Sequence, residues 1–198
     1  MHVTDSSARD TDVAVQIRPF RPGDGARLVP LVRDFCQHHR DCDPLEGTSY
    51  VLPPDTTVAE LVDMVPEAYL AFQILFPGAD EPLQEAIARY ADLPDTRWFL
   101  AEVEGVIEGF ALAWVHDMPP FLACRRVGHL DSAYVTPAMR RHGVARALNE
   151  AVLAWMREQG AEAVRLDVLD RNEVARAAWV RVGYRPYYTV MTRELLNP

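Results

Sequence analysis

One stretch of the sequence joins an apolar run, a basic loop with a glycine and the start of a helix. The apolar run from Leu130 to Val135 stops at Pro137, and the loop after it contains two arginines, a histidine and Gly143. A helical pattern follows, whose apolar residues fall on one stripe: Val144, Leu148, Val152 and Trp155. Glycine lets the backbone approach a ligand, the first amides of a helix lack partners within it, and arginine forks suit phosphate. The stretch therefore predicts an anion-binding cradle, and an ordinary strand-to-helix turn with solvated arginines is the alternative.

The length of 198 residues and a hydrophobic content of 49% predict one domain with a sizeable core. We assign this domain to residues 13–198, with an extended helical section at about 41–96, and we expect residues 1–12 to form a disordered tail. The tail lacks the basic start and apolar stretch of a signal peptide. No run of about 18 apolar residues occurs, so we expect no membrane span and no membrane partner.

The three cysteines, Cys36, Cys42 and Cys124, are odd in number and scattered along the chain. They form neither a disulfide framework nor a zinc-binding spacing, and we interpret them as free, buried thiols. Because such thiols are typical of a reducing compartment, we expect a cytoplasmic protein. His38 and His39 are adjacent and diverge on a helix, so we expect no metal site there or elsewhere.

The net charge of −9 is unevenly distributed along the chain. Between Asp41 and Glu108 there are 15 acidic residues and 2 arginines, whereas from Arg125 to the end there are 12 arginines and 8 acidic residues. This difference suggests that the two parts face different partners, although solvated acidic helices are the simpler alternative. The overall acidity argues against a nucleic-acid partner.

The periodicity of apolar residues predicts the order strand, helices, three strands, helix, strand, helix, strand. The predicted strands span residues 13–20, 98–103, 106–115, 127–135, 164–169 and 187–195. The predicted helices follow the turn at residues 22–25, then span residues 57–65, 66–75, 80–90, 144–159 and 173–182. A strand–helix–strand unit in the second half implies a parallel crossover, and ligands of such sheets lie at the carboxyl ends of strands.

The loop and its flanks match a known motif. The pattern Arg/Gln-x-x-Gly-x-Gly/Ala is filled by Arg140, Gly143 and Ala145, and Val-x-Pro precedes it at residues 135–137. A second stretch has the form Asn-x-x-Ala followed by a glycine and an aromatic residue. Its positions are filled by Asn172, Ala175, Gly183 and Tyr184. In order and spacing the two motifs resemble those of the GNAT superfamily of N-acetyltransferases, over residues 98–192 well and over the first 40 residues loosely.

The resemblance implies an α/β (α+β) fold with a mixed, mostly antiparallel sheet flanked by helices on both faces. It also implies that acetyl-CoA is the co-substrate. The implied coenzyme-binding residues are Tyr134, Val135, Arg140, Arg141, His142, Gly143, Val144, Ala145, Arg146, Asn172, Ala175 and Trp179. In this scheme the loop amides bind the pyrophosphate, while Tyr134 and Val135 pair with the pantetheine arm as a strand would.

Trp179 is a departure from the family pattern. Many members carry a tyrosine seven residues after the motif asparagine, where it protonates the departing thiolate, but an indole cannot supply a proton. Tyr184 is one candidate replacement, beside Tyr134, Tyr187 or water. A catalytically impaired acyl-CoA-binding regulatory module is therefore an alternative function.

The base that deprotonates the attacking amine is the remaining catalytic group. In relatives of this superfamily it lies on the strand before the loop, at positions occupied here by His129 and Asp131. These two residues are two apart and point to one face of the strand, where they form either a catalytic or a merely structural pair. Asp167 is the next candidate.

The predicted activity is direct transfer of an acetyl group from acetyl-CoA to an amine. Because the early helices that line the acceptor site in this superfamily are acidic here, a small cationic amine is the first acceptor hypothesis. A peptide or protein amine is the second. A homodimer is compatible with the sequence, which leaves the oligomeric state open.

Overall fold

The computed structural model of the chain describes residues 14–42 and 80–191. The strands are β1 (Val15–Pro19), β2 (Thr96–Val103), β3 (Val106–Asp117), β4 (Arg126–Val135) and β5 (Ala163–Leu166). The helices are α1 (Asp24–Cys42), α2 (Asp80–Asp92), α3 (Val144–Glu158) and α4 (Glu173–Arg181), and a 3₁₀ turn spans Pro137–Met139. The chain divides into two compact units, one ending at Asp167 and the other beginning at Val168.

The first unit is built on one five-stranded sheet in the order β1-β2-β3-β4-β5. Neighbouring strands are antiparallel except β4 and β5, which are parallel. Glu104 and Gly105, with φ of 49° and 81°, form the two-residue turn between β2 and β3, and a pair of positive φ values suits the twist of a tight hairpin. The predicted mixed, mostly antiparallel sheet is confirmed.

β4 and β5 diverge partway along their length. Their pairing runs from Val127 opposite Ala163 to Leu130 opposite Leu166. β4 then continues to Val135 while paired with β3, where Val135 lies opposite Gly109. The carboxyl half of β4 is therefore a strand whose β5-side backbone groups are not paired by β5.

Helices cover both faces of the sheet, as predicted. On one face α1 and α2 pack against a cluster that includes Leu28, Leu83, Trp98 and Phe110. On the other face α3 buries the predicted stripe of Val144, Leu148, Val152 and Trp155. Phe99, the neighbour of Trp98, meets Trp155 with ring centroids 6.0 Å apart. Adjacent residues of a strand thus pack into the hydrophobic cores on opposite faces of the sheet. Each large side chain that is buried stabilises the fold by about 1.5–3 kcal/mol.

A buried ionic network fixes the start of α1 to the sheet. The guanidinium of Arg18 donates to both carboxylate oxygens of Asp24, at 2.7 and 3.0 Å, and to Glu102 at 2.6 Å. Asp24 also accepts a hydrogen bond from the backbone amide of Arg21, at 2.8 Å. The hydrogen bonds from Arg18 lower the pKa of Asp24 below its usual value, against the opposing effect of burial. The carboxylate is therefore held in its charged form in the first turn of α1, where a negative charge suits the helix dipole.

Two predicted strands differ from the structure. β5 ends at Leu166 instead of residue 169, because β4 turns away at that point and a strand needs a partner. The strand predicted at residues 187–195 is wrong for residues 187–191, which form no strand. Since the described residues of the second unit contain no other strand, this segment has no partner there. Its remainder, the helices predicted at 57–75 and the tail at 1–12 lie outside the described residues.

Candidate functional site

The loop between β4 and α3 is fastened to β3 where it leaves the sheet. The backbone amide of Thr136 donates to the carbonyl of Glu108 at 2.9 Å, and the Thr136 hydroxyl donates to the Glu108 carboxylate. The short 3₁₀ turn follows, and the amide of Met139 closes it by donating to the Thr136 carbonyl at 3.0 Å. These bonds fix the direction in which the chain enters the basic loop.

The basic loop presents backbone amides at the start of α3. Gly143, with φ of 78°, is the N-cap residue, and Arg141 has φ of 70°. No side chain in the described part of the chain caps this helix end. The first helical bond runs from the amide of Ala147 to the carbonyl of Gly143, at 3.0 Å. The three amides before Ala147 therefore have no acceptor within α3 and, with left-handed residues beside them, form an anion-binding concavity.

The space in front of this concavity is open. A Cβ atom placed on Gly143 would meet nothing within 4 Å. Gly143 is therefore required by its backbone conformation, and the loop leaves room for a ligand. This is the geometry expected of a pyrophosphate site.

Basic side chains surround the loop and are exposed. The Nε of Arg140 donates to the carbonyl of Val135 at 3.3 Å, and its guanidinium lies 5.9 Å from the ring centre of Tyr134. Nδ1 of His142 lies 3.0 Å from the carbonyl of Arg140. Arg146 is paired with Glu150, at 2.8 Å. The predicted coenzyme-binding residues from position 134 to 146 are thus brought together at the carboxyl end of β4.

His129 lies in β4, next to the point where β4 and β5 diverge. It is opposite Trp114 of β3 on one side and Arg165 of β5 on the other. The imidazole stacks on the indole of Trp114, with centroids 4.9 Å apart and planes 17° apart. Its Nε2 lies 3.5 Å from a carboxylate oxygen of Asp167. The His129 side chain is 19% exposed and that of Asp167 is 71% exposed, so the pair connects the sheet surface with solvent.

Asp131 lies at a β-bulge. Leu112 pairs with Ser132 and Ala113 pairs with Leu130, which leaves Asp131 as the extra residue of β4. Its carboxylate accepts a hydrogen bond from the Ser132 hydroxyl at 2.7 Å. Of the candidate carboxylates, Asp167 is therefore the one with a measured contact to His129, and the role predicted for Asp131 stays a prediction.

Trp114 and His116 belong to the same surface and were missed by the sequence interpretation. Their rings are 4.9 Å apart, so the indole lies between two imidazoles. Burial lowers the pKa of His116, and the nearby charges of His129 and Arg165 lower it further. Alternation along β3 was a signal that Leu112, Trp114 and His116 share a face, but it does not tell which β4 residue lies opposite.

The second motif lies in the second unit. Asn172 is buried and caps α4, since its side-chain oxygen accepts a hydrogen bond from the amide of Ala175 at 3.1 Å. The Trp179 and Tyr184 rings meet edge to face, with centroids 5.5 Å apart. Burial raises the pKa of Tyr184 to about 12. Local structure thus explains why asparagine begins this helix, and the coenzyme and catalytic roles of these four residues stay predictions.

Within residues 14–42 and 80–191, no group of three or more His, Cys, Asp or Glu side chains can hold a metal ion. Among the helices of those ranges, none is both long and apolar enough to cross a bilayer. None of Cys36, Cys42 and Cys124 forms a disulfide. Cys36 is buried, whereas Cys42 and Cys124 are partly exposed, so the predicted burial is confirmed for Cys36 alone.

Known proteins resemble this chain in sequence. The model of the acetyltransferase (GNAT) family matches residues 61–184. An aminoglycoside N(6')-acetyltransferase type 1 of Stenotrophomonas maltophilia is 33% identical over 111 residues, which are 56% of this chain and 72% of that protein. The enzyme of the same name in Salmonella typhimurium is 30% identical over 87 residues, which are 43% of this chain and 60% of that protein.

Solved structures share the fold. The aminoglycoside N-acetyltransferase AAC(6')-Iy in complex with CoA has a TM-score of 0.62 and 17% identity, over 93% of this chain and 97% of that one. A ribosomal-protein-alanine N-acetyltransferase from Brucella melitensis has a TM-score of 0.60 and 16% identity, over 92% of this chain and 99% of that one. At these identities the similarity shows the fold alone.

These findings decide between the enzyme and the non-catalytic module that Trp179 suggested. The family model covers more than half of the chain, and both sequence relatives are named as acetyltransferases. The resemblance seen in the two motifs is confirmed. The chain belongs to the acetyltransferase (GNAT) family, and it is an N-acetyltransferase that uses acetyl-CoA as its acetyl donor.

Proposed function

We propose that this enzyme acetylates an amino group of a small, cationic, aminoglycoside-like molecule by direct attack on the thioester. One observation carries the proposal. His129, with Asp167 at 3.5 Å, lies where β4 and β5 diverge, on the strand that leads into the phosphate-binding loop. This position supports His129 as the base, because a donor bound at the loop and along β4 would pass close to it. The sequence relatives named as aminoglycoside N(6')-acetyltransferases support the substrate class.

The donor fits the loop and the carboxyl half of β4. The amides of Val144, Ala145 and Arg146 have no acceptor within α3 and suit the pyrophosphate. Arg140 and Arg141 are exposed beside them and add charge-assisted hydrogen bonds. Beyond Leu130, the β5-side backbone groups of β4 are available to an extended pantetheine arm, as at any sheet edge.

Asn172, Ala175 and Trp179 are proposed as further donor contacts on the basis of the motif. Asn172 already accepts the cap hydrogen bond of α4 with its side-chain oxygen. Its part in donor binding therefore includes holding this helix start in place.

The reaction requires few catalytic groups from the protein. Acetyl-CoA supplies an activated carbonyl carbon when it is bound. A cationic amine must first lose a proton, and His129 is the proposed acceptor of that proton. Since Nε2 faces Asp167, Nδ1 is the nitrogen left to face the acceptor, and Asp167 stabilises the imidazolium that forms. The new carbon–nitrogen bond then replaces the carbon–sulfur bond, and coenzyme A leaves as the thiolate. The acetylated nitrogen gives up its second proton, which offsets the proton that the thiolate takes up.

The departing sulfur needs a proton or a solvated site. Tyr184 is the proposed proton donor, because Trp179 cannot act and the phenol of Tyr184 stays protonated with a pKa of about 12. His129 returns to its neutral form through Asp167, which is 71% exposed and in contact with solvent.

The test is release of free thiol from acetyl-CoA, followed with a thiol-reactive chromophore across a panel of amines. The panel contains an aminoglycoside with a 6'-amine, one with a hydroxyl at that position, a linear polyamine and a peptide with a free N-terminus. We expect turnover with the 6'-amine and at least tenfold less with the 6'-hydroxyl compound, since an absent nucleophile cannot be replaced by binding. Turnover with the peptide alone would contradict the substrate class, and coenzyme binding without turnover on any amine would contradict the mechanism.

A further inference from the structure

We propose that Trp114 is a positioning residue for the acetyl transfer. Its indole stacks on the imidazole of His129 and keeps that ring oriented toward Asp167. The proposal rests on the base role proposed above for His129. It adds a residue from a different strand, with a function that depends on its aromatic face.

Stacking on the indole fixes the imidazole in the direction perpendicular to its ring plane. The two ring planes are within 17° of each other and their centroids are 4.9 Å apart, so one face of the imidazole is covered by the indole. Asp167 contacts the ring edge at Nε2, at 3.5 Å. A face contact and an edge contact together restrict both side-chain torsions of His129, and restricted torsions are what a base needs to meet a proton at one position.

The indole is itself held from two sides. In the sheet, Trp114 lies between Thr96 of β2 and His129 of β4. The ring of His116, two residues along β3, packs against it at 4.9 Å. Nε1 of Trp114 is buried and has no hydrogen-bond partner in the described part of the chain. The position of the indole is thus set by packing, so another flat aromatic ring can take its place.

The surroundings of His129 contain several other charged or titratable groups. On the sheet they are His116 of β3, Asp131 of β4, Arg165 of β5 and Asp167 after β5. From α1, the charge of Asp34 acts on Tyr134, which lies further along β4. Trp114 differs from all of these because it has no charge. Its aromatic face nevertheless attracts an imidazolium more than a neutral imidazole. Removing the face therefore changes the position of the base, whereas removing volume alone does not.

Two substitutions of similar size separate these effects. Trp114→Phe keeps an aromatic face and Trp114→Leu keeps apolar volume without one, and both remove the indole N–H. We expect Trp114→Phe to retain kcat/KM for the amine within about threefold. We expect Trp114→Leu to lose about tenfold or more in kcat, as misplacement of a catalytic group does, while the KM for acetyl-CoA stays unchanged.

The control is Trp155→Phe, which changes a tryptophan on the opposite face of the sheet, where it contacts Phe99. The KM for acetyl-CoA and the melting temperature are measured for every variant, so that loss of folding is recognised. Equal kcat values of the Phe and Leu variants, whether both high or both low, would overturn the proposal. If His129→Ala leaves turnover and its pH profile unchanged, the proposed base is wrong, and that outcome is distinct from a failure of Trp114 alone.

Discussion

Replacing Gly143 by alanine distinguishes two effects: strain in the backbone of the loop, which lowers stability, and interference with the donor, which raises the KM. Gly143 has φ of 78°, and a Cβ atom at this position would meet nothing within 4 Å. The substitution therefore introduces conformational strain without a clash inside the protein. Any further effect must come from a ligand that occupies the open space.

The expected cost to stability is modest. An alanine in the left-handed region costs about 1–2 kcal/mol. For a chain of this size that corresponds to a fall in the melting temperature of roughly 2–8 °C. A methyl group that displaces the phosphate from one amide removes one charge-assisted hydrogen bond. Such a bond contributes about 1.5–3 kcal/mol, so the binding free energy of the donor weakens by that amount. The KM for acetyl-CoA should then rise about tenfold to a hundredfold.

Gly105→Ala is the matched control. Gly105 has φ of 81°, and a Cβ atom there would also meet nothing within 4 Å, but it lies in the β2–β3 turn. Both variants should lose similar stability in a thermal melt, while only Gly143→Ala should raise the KM for acetyl-CoA in the thiol-release assay. An unchanged KM in Gly143→Ala, with stability lowered as in Gly105→Ala, would refute the assignment of this loop to the pyrophosphate.

Three further substitutions test packing, pH dependence and the proton donor. Gly128→Ala should destabilise the protein by about 1–3 kcal/mol in chemical denaturation, because its Cβ would lie 2.4 Å from the sulfur of buried Met156. Asp24→Asn should cost about 3 kcal/mol, because Arg18 loses its buried partner. Since the pKa of Asp24 is lowered on folding, its contribution is present above the unfolded value of about 4 and is lost as the pH falls further, a loss that Asp24→Asn should not show. Tyr184→Phe should lower kcat about tenfold or more without moving any limb of the pH profile below about pH 10, since the pKa of Tyr184 is about 12.

Each of these has an outcome that contradicts it. Adding Met156→Ala should relieve much of the Gly128→Ala penalty, and strictly additive losses would mean that the two do not compete for space. Identical acid unfolding of Asp24→Asn and the parent protein would show that Asp24 is not the group that titrates. Unchanged kcat in Tyr184→Phe would assign thiolate protonation to water or to another group.

The loop and its helix could be predicted from sequence because their signals are local. Positive φ at a glycine, free amides at a helix start and an apolar stripe are properties of neighbouring residues. The stripe of α3 was predicted residue by residue and is buried as expected. The loop half of the candidate site was predictable for the same reason.

The other half depends on strand register, which sequence alone does not determine. The bulge at Asp131 shifts the pairing of β3 and β4 by one residue, and this shift places Trp114 opposite His129. The contact of Asp167 with His129 depends on where β5 ends, which the sequence does not determine. The strand predicted at residues 187–195 failed over residues 187–191 for a related reason, since alternation identifies a strand only when a partner is present.

If the donor binds along β4 as proposed, the divergence of β4 from β5 after Leu130 also affects how long the folded enzyme survives. Backbone groups that a donor satisfies are, without it, the least protected part of a sheet edge and a place where local opening starts. A ligand present at a hundred times its Kd adds about 2.7 kcal/mol to the folded state. Resistance to proteolysis should therefore rise and fall with the supply of acetyl-CoA, so that the amount of enzyme in a cell follows the acetyl donor available to it.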